Sequence, residues 1–390
     1  MPNRVRPWVG TVALLAVAAL PAACTDGSAS DTGPVVHSGE PVSWSKVDLP
    51  AGDEPVTLTK DGTDLLVGLR HRGAKVVPRL TVLAADGRTT DIPVQPKSPY
   101  AFEAVWQSIA TDGTRILALG GAPGGAHSNT RWTVWTGTTA GLQEHPQEFN
   151  TFGGQAAGAV FGAVMTPPGQ ALLGSWGSAQ TGLDAAVWLA EGDKWTRQNP
   201  AGTALQSTPS LLVGPGFGTV SGAGIVLVGS QVRLAPNVVQ QEAAVWRSTS
   251  LNQGWSRVAL PEPGNRSQAV TAGCSATVCI ISGYADGKLA IWKLEGAKGS
   301  RLQGLPAVPV GDKDRLPPPI QDDGHVVQVA ADSGQVKVLS GDGTSWTVQD
   351  STGPSGVVLD AAAVGDSLYL LAGPAGGPAA LWRTDLSAVR

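Results

Sequence analysis

Few side chains of this chain are placed where they could do acid–base or metal chemistry. Its five histidines are scattered and form neither an HxH nor an HExxH pattern, the spacings that put metal ligands on one strand or helix. They are His37, His71, His127, His145 and His325. We therefore predict no metal site and no cofactor. The densest polar cluster, Asp322-Asp323-Gly324-His325, is interpreted as a solvated turn.

A second group of side chains points to binding rather than catalysis. Cations, an amide and one tryptophan recur in the loops that follow the second predicted strand of the first four repeats described below. The group comprises Arg70, His71, Arg72, His127, Asn129, Arg131, Trp176 and Arg233. On one face these loops would form a basic, amide-rich patch suited to an anionic or polyhydroxyl ligand. The alternative is that they are ordinary solvated loops.

A repeated element is needed to bring such loops to one face, and the sequence contains one. An apolar pair, ending in Trp in most copies, recurs about every 40 to 60 residues, a period typical of propellers and other repeat folds. The seven copies end at Leu83, Trp135, Trp188, Trp246, Trp292, Leu339 and Trp382. A glycine-ended apolar run precedes most copies, and a polar turn with an outer strand follows. Each unit is therefore predicted to hold four strands.

The two ends of the repeat complement each other. The segment WSKVDLP at 44–50 returns as WSRVALP at 255–261, with five of seven positions identical. The first copy is an outer strand without a preceding pair, whereas the pair at Trp382 has no outer strand after it. We predict an all-β, seven-bladed β-propeller over residues 42–390, closed by the N-terminal strand, which hides two sheet edges. Six or eight blades are the alternatives.

Tryptophans follow the repeat. Nine of the thirteen occupy its two recurring positions, which indicates packing between blades; the alternative is a platform for stacking sugars. They are Trp44, Trp135, Trp188, Trp195, Trp246, Trp255, Trp292, Trp346 and Trp382. Trp176 lies outside the pattern, and we predict that it is the exposed aromatic.

The N-terminus has the features of an export signal. Arg4 and Arg6 precede an apolar run that is too short to span a bilayer comfortably, and residues 1–23 are predicted to be a signal peptide. The run ends LPAAC at Cys24, which resembles the lipobox of bacterial lipoproteins. That resemblance implies lipid attachment at Cys24, a flexible tether over 24–41 and a place on the outer face of the cytoplasmic membrane. The alternative is ordinary cleavage and secretion.

Two further cysteines, Cys274 and Cys279, are separated by four residues. Outside the cytoplasm such a pair across a tight turn is expected to form a disulfide. Zinc is a poor alternative, because no histidine lies near them in sequence.

Two turns before outer strands resemble the Asp-box, or BNR repeat, of sialidase-like propellers. They are Ser248–Trp255 and Ser340–Trp346, and the glycine-ended strands with spaced tryptophans are also similar to kelch repeats. The Asp-box implies a hairpin in a propeller and no activity. Sialidase chemistry would need a tyrosine nucleophile with a glutamate partner, and Tyr100 with Glu103 is a thin basis for one.

Composition narrows the function classes. The formal net charge is −4 and there is no run of Lys or Arg, so nucleic acid is not an expected partner. We expect a monomeric, non-catalytic envelope module that binds a glycan, an anionic polymer or a protein. The alternative is an exo-glycosidase or lyase, which would need converging carboxylates or an arginine cluster at the channel mouth. An assembly platform, a third possibility, would show an exposed apolar patch.

Overall fold

Seven β-sheets ring a central axis, which confirms the predicted seven-bladed propeller. The computed structural model describes residues 35–73, 75–124, 129–322 and 324–389. Cys24, the signal segment and His127 lie outside these described residues. The strands of blades one to three are Asp53–Asp61, Asp64–Arg72, Val76–Leu83 and Thr89–Ile92; Val105–Thr111, Ile116–Gly124, Asn129–Thr138 and Gly141–Glu144; Ala157–Thr166, Gly169–Gly177, Leu183–Glu191 and Lys194–Arg197.

The remaining four blades follow the same order of strands. Their strands are Leu211–Ser221, Gly224–Ala235, Val238–Arg247 and Ser256–Ala259; Ser267–Cys274, Val278–Ala285, Lys288–Glu295 and Lys298–Arg301; Ile320–Asp322, His325–Asp332, Gln335–Gly341 and Ser345–Ser355; Val357–Val364, Ser367–Gly373 and Ala380–Asp385 with Ser45–Lys46. Within the described residues, helical structure is limited to the short turns Ala101–Glu103, Phe149–Phe152 and Leu386–Val389. Among the described residues, no helix is both long and apolar enough to cross a membrane.

The ring closes as predicted. Ser45 and Lys46 pair with Arg383 and Trp382, so an N-terminal strand becomes the outer strand of blade seven. Each sheet is antiparallel across its four blade strands, and successive connections therefore alternate between two faces. We call the upper face the one that carries the loops between second and third strands and the links between blades. The lower face carries the other turns.

The sheet of blade six extends further than the sequence predicted. Val35–Ser38 and Val42–Ser43 add parallel strands beside Ser345–Ser355, although residues 35–41 were expected to belong to the tether. The β-branched pair Val35-Val36 favours an extended strand, and the outer edge of this blade offers unpaired backbone groups. Because Val35 pairs with Ser345, just after a lower turn, the chain enters at the lower face and climbs to the upper face.

Tryptophan packing between blades is confirmed. Trp188 of blade three packs with Leu117 and Leu119 of blade two, and Trp246 of blade four packs with Val187 of blade three. Five of the nine repeat tryptophans are fully buried, at positions 135, 188, 246, 292 and 346. Burial of these large apolar side chains stabilises the packing of neighbouring sheets.

Inner strands carry a recurring register shift. In blade one it falls between Pro55 and Thr57, and in blade seven between Val358 and Asp360. An extra residue on one strand re-aims the side chains beyond it. This feature positions several of the charged groups described next. In blade five, Cys274 and Cys279 face each other across the first hairpin and form the predicted disulfide.

Candidate functional site

The described members of the predicted ligand group all lie at the upper face, at the ends of second strands or the starts of third strands. They fall into separate local environments rather than one basic patch. The environments are a charged corner on blade one, an aromatic cavity beside blade two, and single paired side chains on blades three and four.

The corner of blade one is closed by its own carboxylates. Glu54, on the inner strand, faces Arg70 across the sheet and accepts two hydrogen bonds from it, at 2.8 and 2.5 Å. Arg72 Nε donates to the same carboxylate at 2.6 Å. Burial raises the pKa of Glu54, but the hydrogen bonds from both arginines outweigh it and hold the pKa below its ordinary value. Two predicted ligand cations thus share one carboxylate within the fold.

His71, the third predicted ligand residue of that corner, also has a partner within the blade. His71 Nδ1 lies 2.7 Å from Asp53 Oδ1, and Arg79 donates to the other oxygen of Asp53 at 2.7 Å. The side chain of Asp53 is fully buried. Arg79 also bonds Asp91 on the outer strand, so the network runs across the blade. Sequence reasoning identified the cations and missed the two carboxylates that face them.

The predicted members on blades three and four are satisfied as well. Arg233 donates to Glu242 at 2.7 Å. Trp176 is half-buried rather than exposed, which corrects the prediction: its ring contacts Trp188 edge-on at 6.2 Å. The guanidinium carbon of Arg197 lies 4.6 Å from the centre of the Trp176 ring. An aromatic next to a buried repeat tryptophan gains more from packing than from solvent exposure.

Arg131 is the exception. Its guanidinium carbon lies 4.5 Å from the ring centre of Phe149 and 5.8 Å from that of Tyr100. No described carboxylate forms an ion pair with it, and its Nε is buried without a hydrogen-bond partner. Arg131 lines two adjoining cavities of about 370 and 400 Å³, whose walls also include Trp132 and Phe152. Asn129 lies at the edge of the second cavity.

Two polar side chains of the first cavity are bonded within the fold, while the carboxylate of Glu148, which also lines it, is exposed. Glu144 accepts hydrogen bonds from the backbone amides of Lys97 and Ser98 and from Ser98 Oγ, each at 2.6 Å. The amide of Gln147 donates to two backbone carbonyls and accepts from Trp195 N. Arg131 is the one cation among the described residues that line the two cavities, and its buried Nε still has a hydrogen bond to donate.

The mouth of the central channel forms a third cavity, of about 450 Å³. Its wall includes Val56, Val105 and Leu359, and its rim carries charges of both signs. The rim residues are Glu54, Arg70, Lys313, Asp314 and Arg315. Asp314 accepts from the backbone amide of Gly311 at 2.6 Å, and Glu54 is held by its two arginines.

Asp360, next to the register shift in blade seven, joins the first and last blades. One oxygen accepts from the backbone amide of Leu58 at 2.8 Å, and the other from its own neighbour Ala361 at 2.9 Å. Burial raises the pKa of Asp360 to about 6, against the opposing effect of these hydrogen bonds. No cluster of three or more potential metal ligands is found among the described residues.

Exposed apolar side chains concentrate on part of the upper face. Among the described residues, seven large hydrophobic side chains are exposed, and six of them lie on the upper parts of blades two to four or on their links. These six are Tyr100, Phe102, Phe149, Leu183, Val238 and Val239. Val239, at a hairpin tip, is 78% exposed. The one sequence signal was Phe149-Asn-Thr-Phe152, which holds two of only five phenylalanines.

Comparisons with known proteins show the fold. Neither a protein-family model nor a curated protein sequence matches the chain. The β-propeller domain of the trilobed protease from Pyrococcus furiosus is similar, with a TM-score of 0.51, 10% identity, and coverage of 85% of this chain and 98% of that one. That domain is described as having an open velcro topology, whereas blade seven here is completed by Ser45–Lys46.

Acylaminoacyl peptidase from Pyrococcus horikoshii is similar at a TM-score of 0.51 and 12% identity, over 85% of this chain and 51% of that one. This chain therefore spans about half the length of that peptidase. A sialidase from Trypanosoma rangeli matches at a TM-score of 0.44 and 9% identity, over 89% of this chain and 58% of that one, which is too distant to support an argument. The comparisons establish a β-propeller and leave the activity open.

Proposed function

We propose that this protein is a non-catalytic binding propeller of the bacterial cell envelope, which holds a protein partner on its upper face above blades two to four. The observation that carries the proposal is the concentration of exposed apolar side chains there. Large apolar side chains left exposed on one part of a surface are typical of protein-binding sites. Aromatic residues and arginine are also the types enriched at such interfaces.

The state of the upper-face cations supports a protein rather than an anionic polymer. A polymer site needs several cations with free hydrogen-bonding capacity, as electrostatic steering depends on their summed field. Here Arg70, Arg72 and Arg233 are each paired with a glutamate of the same blade. A glycan would need several free polar groups to recognise hydroxyls, and two polar side chains of the first cavity, Glu144 and Gln147, already have their hydrogen bonds within the fold.

The path of the N-terminal segment fits an anchored module. Val35 joins the sheet beside Ser345 at the lower face. Ten residues separate it from Cys24, a reach of about 35 Å at full extension. Lipid attachment at Cys24, which we retain as part of the proposal, would therefore attach the lower face and leave the upper face free for a partner.

The catalytic alternative, an exo-glycosidase or lyase, requires carboxylates at the channel mouth that are free to react. The carboxylates described at the rim each hold a structural partner already, Arg70 and Arg72 for Glu54 and the Gly311 amide for Asp314. Turnover of glycosides or uronides by the purified protein would replace the binding role with this one.

Photo-crosslinking in the native cells tests the proposal. A benzoylphenylalanine is placed at Phe149 or at Val239, and at Ala140 as a control, because Ala140 is an exposed lower turn of blade two. We expect one protein adduct of the same mass from both upper positions and none from Ala140. The adduct should be lost when Leu183→Ser and Val238→Ser are introduced together.

Two results would overturn the proposal. One is the same adduct from Ala140, which would mean that contact is not confined to the upper face. The other is the absence of any adduct from both upper positions in protein that is correctly localised and folded. An adduct of the chain with itself would contradict the expectation of a monomer and replace the partner with a second copy.

A further inference from the structure

Arg131 lacks a hydrogen-bond partner for its buried Nε. Its guanidinium is held beside the rings of Phe149 and Tyr100, and its Nε is buried without a hydrogen-bond partner. Aromatic contacts stabilise a guanidinium through its faces and leave its in-plane N–H groups to bond an anion. A cation that is partly removed from water, with donors unused, gains strongly from a charged acceptor.

Aromatic side chains surround Arg131 in the two cavities. Trp132, Phe149 and Phe152 give the adjoining cavities an apolar lining, and the first has room for one large side chain. Glu144 and Gln147 have their hydrogen bonds filled within the fold. The second cavity is of similar size and, unlike the first, has no carboxylate in its lining, so it offers the cation of Arg131 and several aromatic surfaces, which suits a carboxylate next to an apolar group.

We propose that the cavity beside Arg131 receives a carboxylate of the partner's peptide together with the adjacent apolar side chain. This inference rests on the proposed protein-binding function and names the chemistry of the contact. The carboxylate pairs with the guanidinium of Arg131 while the apolar side chain packs against Phe149 and Phe152. The carboxylate could belong to a chain terminus or to an acidic side chain, and the experiment separates these two sources.

The test is calorimetric titration of the full chain with three small peptides. They are acetyl-Ala-Phe with a free carboxylate, acetyl-Ala-Phe-amide, and acetyl-Ala-Glu-Phe-amide. We expect a free-acid peptide or the glutamate peptide to bind at least about tenfold more tightly than acetyl-Ala-Phe-amide, the size of effect given by one charge-assisted hydrogen bond. Preference for the first indicates a terminal carboxylate, and preference for the second indicates an acidic side chain.

Two variants test whether peptide binding depends on the side chain of Arg131. Arg131→Gln should weaken binding of the preferred peptide by roughly 10- to 100-fold. Arg197→Gln is the matched control, because Arg197 also lies over an aromatic ring, that of Trp176, but lines neither cavity. It should leave the affinity unchanged within about twofold.

Three outcomes would overturn the inference. They are equal affinity for all three peptides, no binding of either carboxylate peptide, and binding of glucuronate in place of the peptides. The comparison of acid with amide uses the unaltered protein, so it stands even if Arg131→Gln fails to fold. Crosslinking from Phe149 together with indifference to the carboxylate would sink this inference and leave the proposed function standing.

Discussion

The charged corner of blade one and the aromatic cavity of blade two start from the same sequence signal and reach opposite states. Each places arginine at the upper end of a strand. In blade one, Glu54 faces Arg70 directly across the sheet and neutralises it. In blade two the residue paired with Arg131 is Ala122, and the arginine turns to Phe149 instead. The difference shows that the cross-strand partner decides whether an upper-face cation is structural or free to bind.

The largest expected contrast is in stability. Glu54→Gln leaves Arg70 and Arg72 without their buried carboxylate and should lower the free energy of unfolding by about 3 kcal/mol, towards the low end for breaking a buried pair because Arg72 is half-exposed. Arg131→Gln should change it by less than about 0.5 kcal/mol. Chemical denaturation of both variants measures the contrast, and equal losses would contradict the distinction between the two regions.

The second contrast is between two carboxylates. The pKa of Asp360 is raised to about 6 by burial, whereas the pKa of Glu54 is held low by its arginines. Between about pH 4 and pH 6 the folded protein binds more protons at Asp360 than the unfolded chain does, so stability falls as pH rises through this window. Asp360→Asn should remove a fall of about 3 kcal/mol.

Glu54 has the opposite sign: its contribution is full above its unfolded pKa and is lost as the pH falls through its lower folded pKa. The two variants should therefore flatten different parts of the stability profile, Asp360→Asn the part between pH 4 and pH 6 and Glu54→Gln the acid limb. Denaturant midpoints measured from pH 3 to pH 8 separate them. An Asp360→Asn profile parallel to that of the unaltered protein would contradict the raised pKa.

The smallest expected effect is the contribution of Phe149 to peptide binding in the cavity. Phe149 is exposed and contributes a cation–π contact at 4.5 Å. Phe149→Leu keeps apolar bulk and removes that contact, so it should weaken binding of the preferred peptide by about three- to fivefold, since exposed contacts of this kind contribute 0.5–1 kcal/mol. Stability should stay within about 0.5 kcal/mol. A tenfold loss would mean that Phe149 contacts the ligand more extensively than proposed.

The ring of blades could be predicted from the sequence because the same packing contact recurs in successive blades. Trp135, Trp188 and Trp246 occupy equivalent packing positions, so their spacing shows the repeat and the number of blades can be counted. The orphan strand at Ser45-Lys46 was visible for the same reason. The strand Val35–Ser38 was not, because it belongs to no repeat and pairs with the edge of a single sheet.

The pairing of the charged side chains in blade one could not be predicted from the sequence because it depends on the register of the strands. Counting back from the hairpin without a shift would set Glu54 opposite His71, but the extra residue between Pro55 and Thr57 sets it opposite Arg70. A one-residue change of register exchanges the faces to which side chains point. The aromatic cavity was hidden for another reason, since Tyr100 and Phe149 come from two different links between blades and meet Arg131 only in the folded ring.

The most direct test of the comparison is an arginine side-chain NMR spectrum of the protein labelled at arginine, recorded while the preferred peptide of the calorimetric titration is added. The Nε–H signals of Arg70, Arg72 and Arg131 are assigned by substituting each residue with lysine. The account predicts that the Arg131 signal shifts on addition of the peptide while those of Arg70 and Arg72 stay in place. Movement of the blade-one signals with a stationary Arg131 would contradict it, and would place the binding site at the charged corner.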